Sequence, residues 1–239
     1  MNISVIVPAF NEERLLPSGL AAIRAASAAF DARCWTSELI VCDNNSTDRT
    51  ADIAREAGAT VVFEPVNQIA RARNAGAACA SGDWLVFIDA DSQPTRELFD
   101  ELAVQIEGGR CLAGGSTVRF ENRAARGFVA IWNGLSRLCS WAAGSFVFCR
   151  ADAFRQVGGF SEALYAGEEI DLSRKLKRLA RKTRRRIVIL HRHPLATSDR
   201  KLRLYRSGEV LAFMLKASLT AGRALRDRDA CFPWYDGRR

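Results

Sequence analysis

The first 106 residues alternate between short apolar runs and helical patterns, and this alternation constrains the fold more than any other feature. The apolar runs, rich in β-branched residues, span residues 3–7, 39–42, 60–63 and 84–88. Helical patterns follow at residues 12–30, 50–57, 70–80 and 95–106, with Ser46 or Thr47 as the expected N-cap of the second helix. Strands joined through helices become parallel neighbours, so the pattern predicts an α/β fold with a mostly parallel central sheet and helices on both faces.

The second half of the chain lacks the regular alternation of the first. Strands are predicted there at residues 111–120, 145–149 and 187–190. Helices are predicted at residues 125–139, 152–156, 169–181 and 201–225. The sequence shows no internal repeat, low-complexity tract or clear linker. We therefore predict a single domain over residues 1–239 with two lobes, 1–106 and 107–239, the second ending in a helical segment.

Charge and cysteine usage bear on the surroundings of the protein. The net charge is +8, and the basic residues are dense between Arg174 and Arg206, a pattern that would attract phosphates. The seven cysteines form no CxxC pair, which is typical of free thiols in a reducing compartment. We read no leader sequence, and no apolar run approaches the ~18 residues needed to span a bilayer, so we expect a cytoplasmic protein.

A possible membrane contact lies near the C-terminus. Residues 208–222 combine several large apolar side chains with basic flanks, so this segment could lie on the inner membrane face as a peripheral contact. Packing of a final helix against the core is the alternative explanation. The basic stretch carries no motif or aromatic interleaving typical of nucleic-acid binding, and we expect no nucleic-acid partner.

Polar clusters follow three of the predicted strands, at residues 9–12, 43–48 and 89–91. Ligands of open parallel sheets bind at the carboxyl ends of the strands, so these clusters predict one ligand site. Asp89 and Asp91 are two residues apart on an extended chain, and their carboxylates can therefore face one ion. Such oxygen ligands suit Mg²⁺ or Mn²⁺, which would take further oxygens from a diphosphate.

Further candidate residues lie outside that pair. Asp43 could accept from a nucleobase N–H or a ribose hydroxyl, or it could cap the next helix. Arg71 and Arg73 could reach a diphosphate, or they could be solvated. His191 and His193 lie two residues apart after a predicted strand and are further candidates for metal ligands, although no cysteine or acid stands beside them at ligand spacing.

Glu168, Glu169 and Asp171 form an acidic trio at the start of a predicted helix. Acids in a first turn stabilise the helix dipole by ~0.3–1 kcal/mol, which is the structural explanation for the trio. The glycine-rich loop at residues 158–167 instead predicts a specially shaped site. A carboxylate there could be the base that takes a proton from an acceptor hydroxyl.

Five stretches taken together resemble the family 2 glycosyltransferases with the GT-A fold, in that family's order over residues 3–175. They are VIVPAFNEE at 5–13, VCDNNSTDRT at 41–50, ARNAG at 72–76, FIDAD at 87–91, and VGGF at 157–160 followed by EEIDL at 168–172. The resemblance implies a Rossmann-like nucleotide lobe at 1–106, an acceptor lobe at 107–239, and a UDP- or GDP-type sugar donor.

The resemblance also implies roles for single residues. Asp91, helped by Asp89, would hold the metal. The acidic trio matches the family's Glu-Asp motif, whose acid is the base in inverting members; Glu169 stands at the second place, so all three acids stay eligible. Residues 197–201 resemble a basic segment that could close over the diphosphate. The residues expected to border the nucleoside, hold its base or meet the phosphates are Pro8, Ala9, Asn11, Glu12, Asp43, Arg71, Arg73 and Asp89.

These interpretations predict a metal-dependent, inverting transfer of a sugar from a nucleotide-diphosphate donor to a hydroxyl acceptor. The acceptor could be a glycan, a lipid-linked compound or a small molecule. One alternative is a nucleotidyltransferase, which would show a glycine-rich basic loop after its first strand, where this chain has AFNEER at residues 9–14. The other is a non-catalytic basic protein that binds a membrane or nucleic acid.

Overall fold

The predicted alternation of strands and helices is present in the computed structural model, which describes residues 1–120, 126–142, 144–198, 200, 209, 220 and 223–235. Most boundaries shift by only a few residues from the prediction. The elements of the first half are β1 (Asn2–Ala9), α1 (Leu16–Asp31), β2 (Thr36–Asp43), α2 (Thr50–Glu56), β3 (Thr60–Phe63), α3 (Ile69–Cys79), β4 (Trp84–Ile88), β5 (Ser92–Gln93) and α4 (Arg96–Glu107).

The second half contributes three more strands to the described fold. Its elements are β6 (Cys111–Arg119), α5 (Arg126–Cys139), β7 (Phe146–Arg150), α6 (Ala151–Gln156), α7 (Glu168–Lys182), β8 (Arg186–Thr197), a 3-10 turn (Arg223–Arg226) and α8 (Phe232–Tyr235). Most of the helix predicted at 201–225, with the possible membrane segment at 208–222, lies outside the described residues. Among the helices that are described, none is long and apolar enough to cross a membrane.

All eight strands join one sheet in the order β3-β2-β1-β4-β7-β6-β8-β5. β1 pairs in parallel with β2 and β4, and β2 pairs in parallel with β3. β7 is antiparallel to β4 and β6, whereas β8 is parallel to β6. The strand order reverses around β1, so the carboxyl ends of β1, β2 and β4 share the edge where such sheets bind ligands.

The core lies in two layers, one on each face of the sheet. Val5 and Val7 belong to one buried cluster, together with residues of α1 and α4, whereas Ile6 belongs to the other, with residues of α3 and α7. Successive side chains of a strand point to opposite faces, so a strand covered on both faces is almost continuously apolar. The predicted α/β class, with a mostly parallel sheet and helices on both faces, is confirmed.

Two local predictions are wrong. Neither Ser46 nor Thr47 is the N-cap of α2; the N-cap is Arg49, and an oxygen of the Asp48 side chain accepts from the backbone N–H of Thr50 at 2.9 Å. The last strand does not end at residue 190, because β8 continues to Thr197 and pairs there with the unpredicted β5. This extension brings the end of β8 beside the loop that follows β4.

Gly19 allows α1 to pack closely against that same loop. A Cβ atom built at Gly19 would lie 2.6 Å from the carbonyl oxygen of Ala90 and 3.3 Å from that of Ser92. These are backbone atoms, which cannot swing aside as a flexible side chain does. The close approach of α1 therefore restricts the position of the backbone segment that carries Asp89 and Asp91.

We expect Gly19→Ala to destabilise the fold although alanine is the better helix former. The gain in helix propensity is at most ~1 kcal/mol, whereas overpacking against fixed backbone costs typically ~1–3 kcal/mol. The control is Gly134→Ala in α5, where an added Cβ meets nothing within 4 Å, so the propensity gain should remain. Urea unfolding of both variants measures the difference, and stabilisation by both substitutions would show that α1 is free to move.

Candidate functional site

The loops that follow β1, β2 and β4 meet at one edge of the sheet around a pocket of about 390 Å³. Further walls come from α5, from the residues before β7, from the end of β8 and from α8. The lining residues include Pro8, Ala9, Glu12, Asn44, Asn67, Asp89, Asp91, Val129, Trp132, Gly144, Thr197, Arg200 and Tyr235. The convergence of three strand-end clusters predicted from the sequence is therefore present in the structure.

Arg73 lies beneath the pocket and joins two carboxylates. Its Nη1 donates to Oε1 of Glu168 at 2.8 Å, and its Nη2 donates to Oδ1 of Asp89 and to the carbonyl oxygen of Gly144, both at 2.8 Å. The side chain is only 3% exposed, and its guanidinium carbon lies 5.2 Å from the ring centroid of Phe160. The planar fork of arginine suits this arrangement, because it bonds several oxygens in fixed directions. The geometry favours a positioning role for Arg73 over direct contact with a phosphate.

Asp91 lies at the mouth of the pocket beside the end of β8. Thr197 Oγ1 donates to Asp91 Oδ1 at 3.4 Å, and Thr197 Oγ1 in turn accepts from Ser92 Oγ at 3.0 Å. These contacts depend on the pairing of β5 with β8, which the sequence prediction missed. Asp89 is thus oriented by Arg73, whereas Asp91 is oriented by Thr197.

Arg200 faces the same pocket from the segment after β8. Its Nη1 and Nη2 bond the two carboxylate oxygens of Glu12 at 3.0 and 2.6 Å. Burial alone would lower the pKa of Arg200, but its bonds to Glu12 and the charges of Glu12 and Asp91 hold that pKa above its ordinary value. The sequence indicated a basic segment at 197–201, and Arg200 of that segment lines the pocket.

The acidic trio separates into three environments. Glu168 is 4% exposed and bonded to Arg73, whereas Asp171 forms an ion pair with Lys175 at 2.8 Å, one turn along α7. The carboxylate of Glu169 lies beside Gly144 at the pocket wall, where a Cβ built on that glycine would be 3.6 Å from Oε1 of Glu169. Of the three acids, Glu169 is the one whose carboxylate lies beside a pocket-lining residue.

The titration of Glu168 is strongly displaced. Burial, together with the nearby charge of Glu169, raises the pKa of Glu168 to about 8, and the charge of Arg73 acts in the opposite direction. The raised pKa means that Glu168 takes up a proton more readily than an ordinary glutamate. Because its carboxyl group is buried and bonded to Arg73, it is poorly placed to accept a proton from an acceptor hydroxyl.

Other predicted residues tie the strand-end loops together. Asn11 Oδ1 accepts from the backbone N–H of Thr47 at 2.8 Å, and the N–H of Asn11 donates to Ser46 Oγ at 3.0 Å. Asp43 Oδ1 accepts from the N–H of Ser46 at 3.0 Å, which is the role of a turn residue. These bonds place Asn11 and Asp43 in the loops at the edge of the sheet beside the pocket. Contact with a nucleobase stays a prediction for both.

Arg71, unlike Arg73, lies in a partly exposed ion-pair network. Its Nε bonds Glu64 at 3.0 Å and its Nη1 bonds Glu162 at 2.9 Å. Arg71 is not among the residues that line the pocket. Its predicted contact with a diphosphate has no support in this arrangement and stays untested.

The two histidines lie on β8 beside α4. Nδ1 of His193 is 3.3 Å from Oε2 of Glu101, and the backbone N–H of His191 donates to the same carboxylate at 3.2 Å. Within the described residues, no group of three or more His, Cys, Asp or Glu side chains could hold a metal ion. Neither histidine therefore joins Asp89 and Asp91 in such a group.

Two long-range contributors to the site were missed from the sequence. Asn74 clamps the loop before α7, since its Oδ1 accepts from the N–H of Phe160 and its Nδ2 donates to the carbonyl of Phe160, at 3.0 and 2.9 Å. Tyr235 closes the pocket near the C-terminus, where its hydroxyl accepts from the N–H of Ile69 at 3.3 Å. Asn74 lies in the ARNAG stretch at residues 72–76, but nothing local in the sequence links Tyr235 to residue 69.

A model of the family described as glycosyl transferase family 2 matches residues 4–152. The chain belongs to this family. An uncharacterized glycosyltransferase of Mycobacterium tuberculosis is 36% identical over 113 residues, which cover 47% of this chain and 47% of that protein. The match thus spans about half the length of this curated relative.

Solved structures share the fold over almost the whole chain. A mannosyltransferase from Pyrobaculum calidifontis, in complex with GDP-Man and Mn²⁺, has a TM-score of 0.67 at 20% identity, covering 98% of this chain and 67% of that one. Glucosyl-3-phosphoglycerate synthase from Mycobacterium tuberculosis, in complex with Mn²⁺, UDP and phosphoglyceric acid, has a TM-score of 0.65 at 23% identity, covering 95% and 78%. The GT-A fold implied by the sequence resemblance is confirmed.

We expect Arg73→Met to destabilise the protein far more than the same substitution at Arg71. Removing one partner of a buried ion pair leaves an uncompensated charge and costs typically ~3–5 kcal/mol. Arg71 is 35% exposed, and its partner Glu64, although buried, keeps the backbone N–H of Val66 as a donor, so the loss there should be smaller. Urea unfolding at neutral pH measures both losses, and equal small losses would mean that Arg73 does not hold the site together.

Proposed function

We propose that this chain transfers a sugar from a nucleoside-diphosphate sugar to a hydroxyl acceptor, with inversion at the anomeric carbon. The observation that carries the proposal is the placement of Asp89 and Asp91 on one pocket with Glu169 at its wall near Gly144. The pocket volume of about 390 Å³ lies within the usual range for small-ligand sites. Family membership favours sugar transfer over the nucleotidyltransferase and the non-catalytic alternatives.

The donor side of the proposed site is the edge formed by the β1 and β2 loops. Pro8, Ala9 and Asn44 line this part of the pocket, with Asn11 and Asp43 bonded in the loops beside them. Arg200 supplies a cation at the pocket, currently paired with Glu12. Exchange of that pair for a diphosphate oxygen would retain a charge-assisted hydrogen bond, and complexes of structural neighbours with UDP and GDP-Man support a donor of this class.

The carboxylates of Asp89 and Asp91 fit a divalent cation such as Mn²⁺ or Mg²⁺. Both are hard oxygen donors, and the described residues add no third acid or histidine, so the remaining ligands would come from the nucleotide and water. Asp89 keeps its orientation through Arg73, and Asp91 through Thr197. When bound, the cation would stabilise the negative charge on the departing diphosphate.

Glu169 is the proposed base. The acceptor oxygen forms the new bond to the anomeric carbon while the bond from that carbon to the diphosphate oxygen breaks and its electron pair leaves with the diphosphate. The proton of the acceptor hydroxyl passes to the carboxylate of Glu169. Glu168 is buried and bonded to Arg73, while Asp171 is paired with Lys175, so neither is placed as well for this task.

We expect UDP or GDP to raise the melting temperature only when Mn²⁺ or Mg²⁺ is present. A ligand at 100 times its Kd stabilises the folded state by about 2.7 kcal/mol, which is several degrees for a chain of this length. Asp91→Asn should lose the effect at matched concentrations, whereas Asp52→Asn, at an acid ion-paired with Arg55 on α2, should keep it. Equal stabilisation in EDTA would remove the metal from the proposal.

We expect Glu169→Gln to lower kcat by about 10²–10⁴, the usual contribution of a general base, with donor affinity nearly unchanged. The matched control is Asp171→Asn, which removes a partly exposed ion pair with Lys175 on the same helix turn and should leave the rate close to the parent's. Release of the nucleoside diphosphate from a sugar donor, with the acceptor or with water, measures the rate. A larger loss in Asp171→Asn than in Glu169→Gln would move the base to Asp171.

A further inference from the structure

The outer side of α5 carries a stripe of exposed aliphatic side chains. Ile131, Leu135 and Leu138 are 67%, 45% and 81% exposed, and their spacing of four and three residues places them on one side of the helix. The other side faces inward, where Val129 and Trp132 line the pocket. A surface helix normally shows water a polar side, whereas the side of α5 that carries these three residues is apolar.

A strongly basic surface adjoins the C-terminal end of this stripe. Lys177 Nζ donates to the carbonyl oxygen of Cys139 at 2.9 Å, one residue after Leu138, and the Arg174 guanidinium carbon lies 5.5 Å from the ring centroid of Trp141. Residues 172–186, which form most of α7 and the turn after it, contain nine Lys and Arg residues and no acid. Arg174 and Arg178 are exposed.

We propose that the exposed side of α5 and the basic side of α7 together dock on an anionic phospholipid bilayer. Aliphatic side chains enter the boundary between headgroups and acyl chains, while neighbouring Lys and Arg are attracted to acidic headgroups. This surface consists of other residues than the C-terminal segment 208–222 considered from the sequence. It is independent of the chemistry proposed for the pocket.

A second copy of the chain is a poorer match for the same surface. In a two-fold dimer the same patch of each copy faces the other, so pairing of the α5 stripes would bring the basic run of α7 near its own copy. Like charges brought together in this way oppose association. An acidic lipid surface covers the apolar stripe and balances the charge at once.

Docking in this orientation would also hold the pocket close to the lipid. Val129 and Trp132 line the pocket from the opposite side of the helix that carries the stripe. An α-helix with its side chains is about 10–12 Å across. The pocket wall and the bilayer surface would therefore be separated by one helix.

Vesicle sedimentation of the full chain tests this surface. We expect the protein to bind vesicles of phosphatidylcholine mixed with phosphatidylglycerol, to bind phosphatidylcholine alone much more weakly, and to detach as salt rises. Ile131→Glu with Leu138→Glu should weaken the partition by at least about tenfold, because the substitutions place charge on the apolar stripe. Arg178→Glu with Arg181→Glu should remove the preference for acidic lipid.

The matched control is Phe63→Glu, at a side chain 60% exposed on β3 at the far edge of the sheet, which should bind like the parent. Melting temperatures confirm that each variant is folded. Absence of binding to acidic vesicles would overturn the proposal, as would equal binding by the α5 variant, which would assign lipid contact to another part of the chain. A dimer in sedimentation velocity that the α5 variant makes monomeric, without lipid binding, would make the stripe an interface between copies.

Discussion

The candidate site depends on the hydrogen bonds that the buried guanidinium of Arg73 donates. This side chain extends from α3 to Asp89 after β4, to the carbonyl of Gly144 before β7, and to Glu168 at the start of α7. Taking a charge out of water is costly, and only several well-directed bonds offset that cost. Because these bonds come from elements distant in the sequence, one side chain sets the distance between the carboxylate pair and the acidic trio.

This arrangement explains why three neighbouring acids have different properties. Along an α-helix successive residues turn by about 100°, so Glu169 leaves the first turn of α7 about 100° from Glu168 and about 200° from Asp171. Asp171 lies nearer the side of Glu168 but about 4.5 Å further along the helix axis. Gly167, in the left-handed region at φ 75°, starts the helix so that Glu168 turns inward to Arg73. The carboxylate of Glu169 then lies beside Gly144, and Asp171 forms its ion pair with Lys175.

The sequence predicts the fold better than it predicts the site, for a physical reason. The elements from β1 to α4 can be predicted from local periodicity, because a strand buried on both faces is almost continuously apolar. Residues 191–193 of β8 are exposed and polar, so no apolar pattern announced its continuation to Thr197 or its pairing with β5. The edge of the site was predictable because strand-end loops of a parallel sheet meet by topology. The pairing of Arg200 with Glu12 and the contact of Tyr235 with residue 69 span more than 160 residues, and no local pattern encodes them.

The charge balance of the site bears on the proposed cofactor. Among the described residues, Glu12, Asp89, Asp91, Glu168 and Glu169 lie with two guanidinium groups, Arg73 and Arg200, at or beneath the pocket. A diphosphate entering this pocket would meet repulsion from both aspartates, since unit charges ~4 Å apart interact by ~4 kcal/mol near a protein surface. One divalent cation would balance the aspartates and turn that repulsion into attraction. We therefore expect the proposed cation to be needed for donor binding as well as for departure of the leaving group, so that affinity and rate depend on it together.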